Sequence, residues 1–198
     1  MRPVVALPVL LLAGGCFLLS DVVAQKTTEP GHLEVDAGVL VAQGGALPIV
    51  SARFGVAPRF DIGTRYDTLG WAFDTRLQYL TQSEHRVDSS LEVGVGTALI
   101  SFFWYAGTGV AHDFGKATPY FHFRYMRTLV DRGEMSGESN NVVQELYVTF
   151  SEEAMNITQI FAGVELEINE HWYFVPEVVW VPQLDNWVQF NGVMKFRF

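Results

Sequence analysis

The chain has 198 residues, 49% of them hydrophobic and 14% aromatic, and a formal net charge of −9. So acidic a chain offers no basic surface to neutralise phosphates, which excludes nucleic acid as a partner. Its single cysteine, Cys16, falls in an N-terminal leader; without that leader no thiolate remains for a metal site or a nucleophile.

Residues 1–24 have the pattern of a signal peptide. Arg2 supplies a basic start, residues 4–12 form a short apolar run interrupted at Pro8, and Val22-Val23-Ala24 precede a cleavage point before Gln25. The run is shorter than the roughly 20 residues of a spanning helix. Ala13-Gly14-Gly15-Cys16 is a poor lipoprotein box, because apolar Phe17-Leu18-Leu19 follow where a polar tether belongs.

After a polar lead at 25–31, taken as a short periplasmic segment, the chain alternates. Residues 32–42 set Leu33, Val35, Ala37, Val39 and Val41 against Glu34 and Asp36. The same period recurs in 49–57, 60–66, 71–80, 87–98, 102–112, 118–130, 157–168, 172–181 and 187–198, with Gly, Pro, Asn or Asp clusters between most of them. Residues 81–86 read as a polar connector, and 131–155 is the longest polar stretch. Residues 142–150 alternate too, and read as a hairpin or strand extension above a membrane.

A strand points successive side chains to opposite faces. Apolar residues dispersed by alternation, in about ten segments of membrane-strand length, are the weak signature of a transmembrane barrel. Lipid offers backbone groups no hydrogen bonds, so such a sheet must close. The expectation is an all-β, closed, antiparallel up-and-down transmembrane β-barrel over 32–198 with about ten strands, eight being the alternative. With both barrel termini on the inner side, the 131–155 connection emerges outside.

The inward face then carries both signs of charge: Glu34, Asp36, Asp61, Asp74, Glu92, Glu165, Glu167 and Glu177, against Arg53, Arg65, Arg76, Arg124, Lys195 and Arg197. A barrel this small is filled by its own side chains. Mixed signs favour a salt-bridge network plugging the lumen over a polar pore. Trp71, Trp104, Trp180 and Trp187 are expected at the outer interface, and Trp172, Tyr173, Tyr120 and Tyr79 at the inner one.

No residue is assigned a catalytic role, and no spacing suggests a metal or another cofactor. The five histidines, His32, His85, His112, His122 and His171, fall in inner turns or low on strands rather than at the outer rim. That placement argues against omptin-like protease or lipid A-modifying chemistry at the outer surface.

The last strand, DNWVQFNGVMKFRF, places Val188, Phe190, Gly192, Met194, Phe196 and Phe198 on one face. This pattern resembles the C-terminal signal of bacterial outer-membrane β-barrels, with Phe190, Met194, Phe196 and Phe198 as the residues read on insertion. The resemblance is to the class and to no single family. It implies an outer-membrane location, with lipid and the barrel-insertion machinery as partners. The expected role is structural or surface interaction through extracellular loops; the extracellular partner is unknown, and the acidic stretch 131–138 is the candidate surface. A narrow channel for small polar solutes is the alternative, followed by an outer-leaflet lipid- or peptide-modifying enzyme.

Overall fold

The computed structural model describes residues 26–42, 45–67, 70–98, 101–130, 156–183 and 187–198. Among these, the alternating segments form β1 (Leu33–Ala42), β2 (Gly45–Ala57), β3 (Phe60–Asp67), β4 (Gly70–Leu80), β5 (Asp88–Ala98), β6 (Ser101–Ala111), β7 (Ala117–Val130), β8 (Asn156–Glu167), β9 (Trp172–Val181) and β10 (Trp187–Arg197). Every strand pairs with its sequence neighbours, and β1 also pairs antiparallel with β10, which closes the barrel. Ten strands replace the eight-strand alternative. The signal peptide, Cys16, the 131–155 connection and the alternating 142–150 segment lie outside the described residues.

One turn at the expected inner end is tight. Pro58 and Arg59 join β2 to β3, with Arg59 at a φ of 69°. The polar connector after β4 is not simply a loop: it contains one helical turn, α1 (Gln82–His85), capped by Arg86 at a φ of 70°. Four residues are too few for a helical period to register in a sequence.

Strand β2 begins at Gly45, ahead of the expected residue 49, and runs through Pro48. Pairing with β3 starts only at Ile49, so one side of β2 carries no ladder at the proline. That is the setting in which a strand tolerates proline. Pro176, by contrast, sits inside β9. The β8–β9 register holds from Ile160 opposite Trp180 to Glu167 opposite Tyr173, but no pairing occurs at Val164 and Glu165. Proline has no N–H, so the carbonyl of Val164 receives no donor from β9.

Candidate functional site in the barrel lumen

Alternation turns every second side chain of each strand inward, and the interstrand register decides which of them meet. Asp61 and Arg76 are direct cross-strand partners, as are Arg76 and Glu92. Asp61 therefore accepts from Arg76 Nη2 at 2.8 Å and from Arg53 Nη1 at 2.7 Å. Arg53 also reaches Asp74 two strands away. It can do so because Gly63 lies between them; a Cβ there would sit 2.9 Å from the guanidinium carbon. Tyr105 donates its hydroxyl to Asp74 at 3.1 Å, and Arg124 packs over the Tyr105 ring at 4.6 Å. Glu92 meets Arg124 at 3.0 Å and His122 Nε2 at 3.2 Å.

A further cluster sits where the barrel closes. Glu34 and Arg197 face each other across β1 and β10. Arg197 contacts Glu34 and Glu165, each at 2.8 Å, while Lys195 contacts Glu165 at 2.9 Å and Glu34 at 3.1 Å. The two acids and two bases thus alternate in a ring. Asp36, opposite Lys195 in register, accepts from Ser51 Oγ at 2.7 Å. Glu177 accepts from neutral donors, Tyr120 at 2.7 Å and Asn191 at 2.6 Å. Arg65 is buried with its guanidinium 5.6 Å from the Tyr105 ring. Glu167 stands half-buried at the inner rim, outside these clusters. A buried ion left unpaired costs several kcal/mol, so such groups persist only in networks of this kind.

The lumen also holds an apolar layer that the charge pattern does not announce. Phe103, Tyr105, Met126, Ile157, Phe161, Val179 and Val181 cluster with Ala72, all buried. The signal lay in stretches such as Ser101-Phe102-Phe103-Trp104-Tyr105, where alternation fails because both faces are apolar. Gly94 makes room for this layer: a Cβ there would fall 2.3 Å from the Tyr105 ring.

At the inner mouth, the described part of the lead, residues 26–31, is held at the opening through Thr27 and Thr28, while Glu29, Pro30 and Gly31 are exposed. Thr27 and Thr28 are buried, with hydrogen bonds to Gln78 and Asp61. Beside them a cavity of about 140 Å³ is lined by residues including Lys26, Asp88, Tyr120, Glu165, Glu167 and Arg197. His32, His85, His112 and His171 all lie at this end, in its turns or at the adjoining strand ends. His122 alone is inside the wall, 0% exposed. At the rim outside the lumen, a hydrogen bond from Arg59 holds the Glu84 carboxyl below its usual range, with the arginine's charge adding to the effect.

The outer face is apolar on all sides. Phe73 and Phe190 are each 59% exposed. An open groove of about 820 Å³ runs over residues such as Phe54, Ile62, Phe73, Val93 and Trp104. Tyr66 lies tilted against Trp71 with ring centroids 4.9 Å apart, and Tyr125 against Trp104 at 5.7 Å, towards the outer end. Trp172 and Tyr79 are exposed near the inner end. Two expected interface residues are not there: Tyr120 points inward to Glu177, and Tyr173 lies under Arg197 with 4.2 Å between ring and guanidinium. Their neighbours Phe121 and Trp172 take the outward positions, as strand alternation requires. The side chain of Trp187 is outside the described residues. Phe190, Met194 and Phe198 are exposed on the outer face, and Phe196 packs between Trp172 at 4.6 Å and Phe198 at 4.4 Å.

No protein-family model and no curated protein matches the chain. Among solved structures, an outer-membrane channel from Pseudomonas putida F1 overlays with a TM-score of 0.47 at 10% identity, covering 91% of this chain and 100% of that one. The KdgM porin in complex with disordered oligogalacturonate gives 0.47 at 7%, covering 83% and 99%. The outer-membrane protein Ail of Yersinia pestis gives 0.43 at 9%, covering 85% and 99%. Likenesses this distant carry no functional inference.

Proposed function

We propose that this chain is a bacterial outer-membrane barrel with a sealed lumen, serving a structural or surface-interaction role through its outer connections. The observation that carries this reading is the inversion of the wall. Phe73, Val93 and Phe190 are more than half exposed, while Asp61, His122 and Lys195 inside are 0% exposed. Soluble monomers rarely expose apolar patches beyond a few hundred Å². A continuous apolar belt around a sheet with no open edge is what hydrocarbon demands. Lipid is thus the first proposed partner. The insertion machinery is the second, through the apolar face of β10 that carries Phe190, Met194, Phe196 and Phe198.

Sealing is favoured by the lumen side chains themselves. Phe103, Tyr105, Arg124, Met126 and Phe161 are each at most 1% exposed, so protein surrounds them on every side. Interaction then falls to the outer connections, of which 131–155 is the longest. Histidines gathered at the inner end favour a role without outer-surface catalysis. Planar-bilayer recording tests the sealed lumen: purified protein should insert without discrete openings, and stepwise conductance would establish the channel instead. Fractionation tests the location, since the folded chain should stay with the outer membrane and resist SDS until boiled. A soluble chain with no heat-dependent change in gel mobility would reject it.

A further inference from the structure

We propose that residues 26–32 form a strap that docks across the inner mouth of the barrel and seals it, whatever the outer connections bind. The segment crosses the strand ends in order. Gly31 donates its N–H to the carbonyl of Gly55 on β2 at 2.8 Å. The N–H of Thr28 donates to Asp61 Oδ2 on β3 at 2.9 Å, and Thr27 Oγ1 donates to Gln78 Oε1 on β4 at 3.0 Å. Lys26 reaches the cavity that Asp88 of β5 also lines. The receiving surface offers a carbonyl, a carboxylate and an amide oxygen as acceptors, and the Gly55 N–H donates back to the His32 carbonyl at 3.1 Å; this suits a backbone that brings N–H and hydroxyl donors on small side chains.

The strap has its own folding signal. His32 donates its N–H to the Glu29 carbonyl at 3.0 Å, and Gly31 has a φ of +82°. That is a type II turn with Pro30 and Gly31 at its centre, and it turns the segment from the start of β1 towards β2, β3 and β4. The dock is shaped for it as well. A Cβ on Gly55 would sit 2.0 Å from the Glu29 carbonyl oxygen and 2.5 Å from that of Thr28. Those atoms are backbone, so they cannot swing aside as a side chain does. Gly55 is outside the positive-φ glycines, so its backbone conformation alone does not call for glycine. The space is used by the strap. Through Asp61 the strap touches the carboxylate that also holds Arg53 and Arg76, and it covers the base of that cluster from water.

The test uses the full chain with Cys16→Ser, folded in detergent micelles, and a water-soluble maleimide read in the fast-migrating folded gel band. Thr28→Cys keeps the backbone donor, and the Thr28 hydroxyl it removes has no partner among the described residues. Thr28→Cys should label about tenfold or more slowly than Lys26→Cys, the protection expected of a segment that must open locally to react. Adding Gly55→Ala should raise the Thr28→Cys rate about tenfold, towards the Lys26→Cys rate. Equal rates at the two positions in the Gly55 chain, or no acceleration by Gly55→Ala, would overturn the strap.

Discussion

Gly94 and Gly192 are strand glycines on opposite faces of the wall, and one added methyl group should tell them apart. At Gly94 a Cβ would fall 2.3 Å from the Tyr105 ring, whereas at Gly192 the nearest atom is 3.8 Å away. Gly94→Ala should cost about 1–3 kcal/mol by overpacking. Gly192→Ala should stay within about 0.5 kcal/mol. The thermal midpoint of the SDS-resistant band measures both, and equal losses would contradict the packed lumen. Pro176→Ala should act in the opposite direction. It loses about 0.4–1 kcal/mol of unfolded-state restriction. It also gives the Val164 carbonyl a donor, and an unpaired backbone group in lipid costs several kcal/mol. The second effect is larger, so the midpoint should rise; a fall would mean the carbonyl is already satisfied. At the rim, Arg59→Ala should move the Glu84 titration upward, towards the ordinary glutamate range, as read by NMR. Because the folded value is depressed, the pair's contribution is present above the unfolded value and disappears as pH falls through the folded one.

Among the elements, β3 carries the most consequential inward residue. Asp61→Ala removes the carboxylate shared by Arg53 and Arg76 and should cost about 3–5 kcal/mol, the range for breaking a buried pair from one side. A loss below about 1 kcal/mol, typical of exposed pairs, would mean that water reaches the cluster. Such inward positions were legible from the sequence because period two assigns a face to every residue of a strand. Glu34, Asp74 and Lys195 needed nothing more. Their partners were not legible: Arg53 meets Asp74 only because of the β2–β3–β4 register and the empty place at Gly63, and neither is encoded locally. Tyr120 and Tyr173 were misplaced when residue type was given more weight than strand parity. The α1 turn was too short to show a period. The strap was missed although Pro30-Gly31 is a turn signal, since nothing in Thr27 and Thr28 marks them for burial.

For the molecule as a whole, the wall and the 131–155 connection should be separable. The β7–β8 ladder runs in register from Arg127 opposite Asn156 to Ala117 opposite Leu166. Replacing 132–154 by a short turn should therefore leave a heat-modifiable barrel, because loop-closure entropy changes only slowly with length. Loss of the folded band would show that the connection supports the barrel itself. The ring of Glu34, Glu165, Lys195 and Arg197 has a different consequence. Its Arg197–Glu34 bond joins positions 163 residues apart. While the chain is still emerging, β1 has one partner strand available and its other edge remains open. Contacts this distant slow folding, and an open edge invites association with other chains. The local hairpins can pair as the chain arrives, but the β1 edge stays open until β10 pairs with it, so sealing of the wall waits for the last strand.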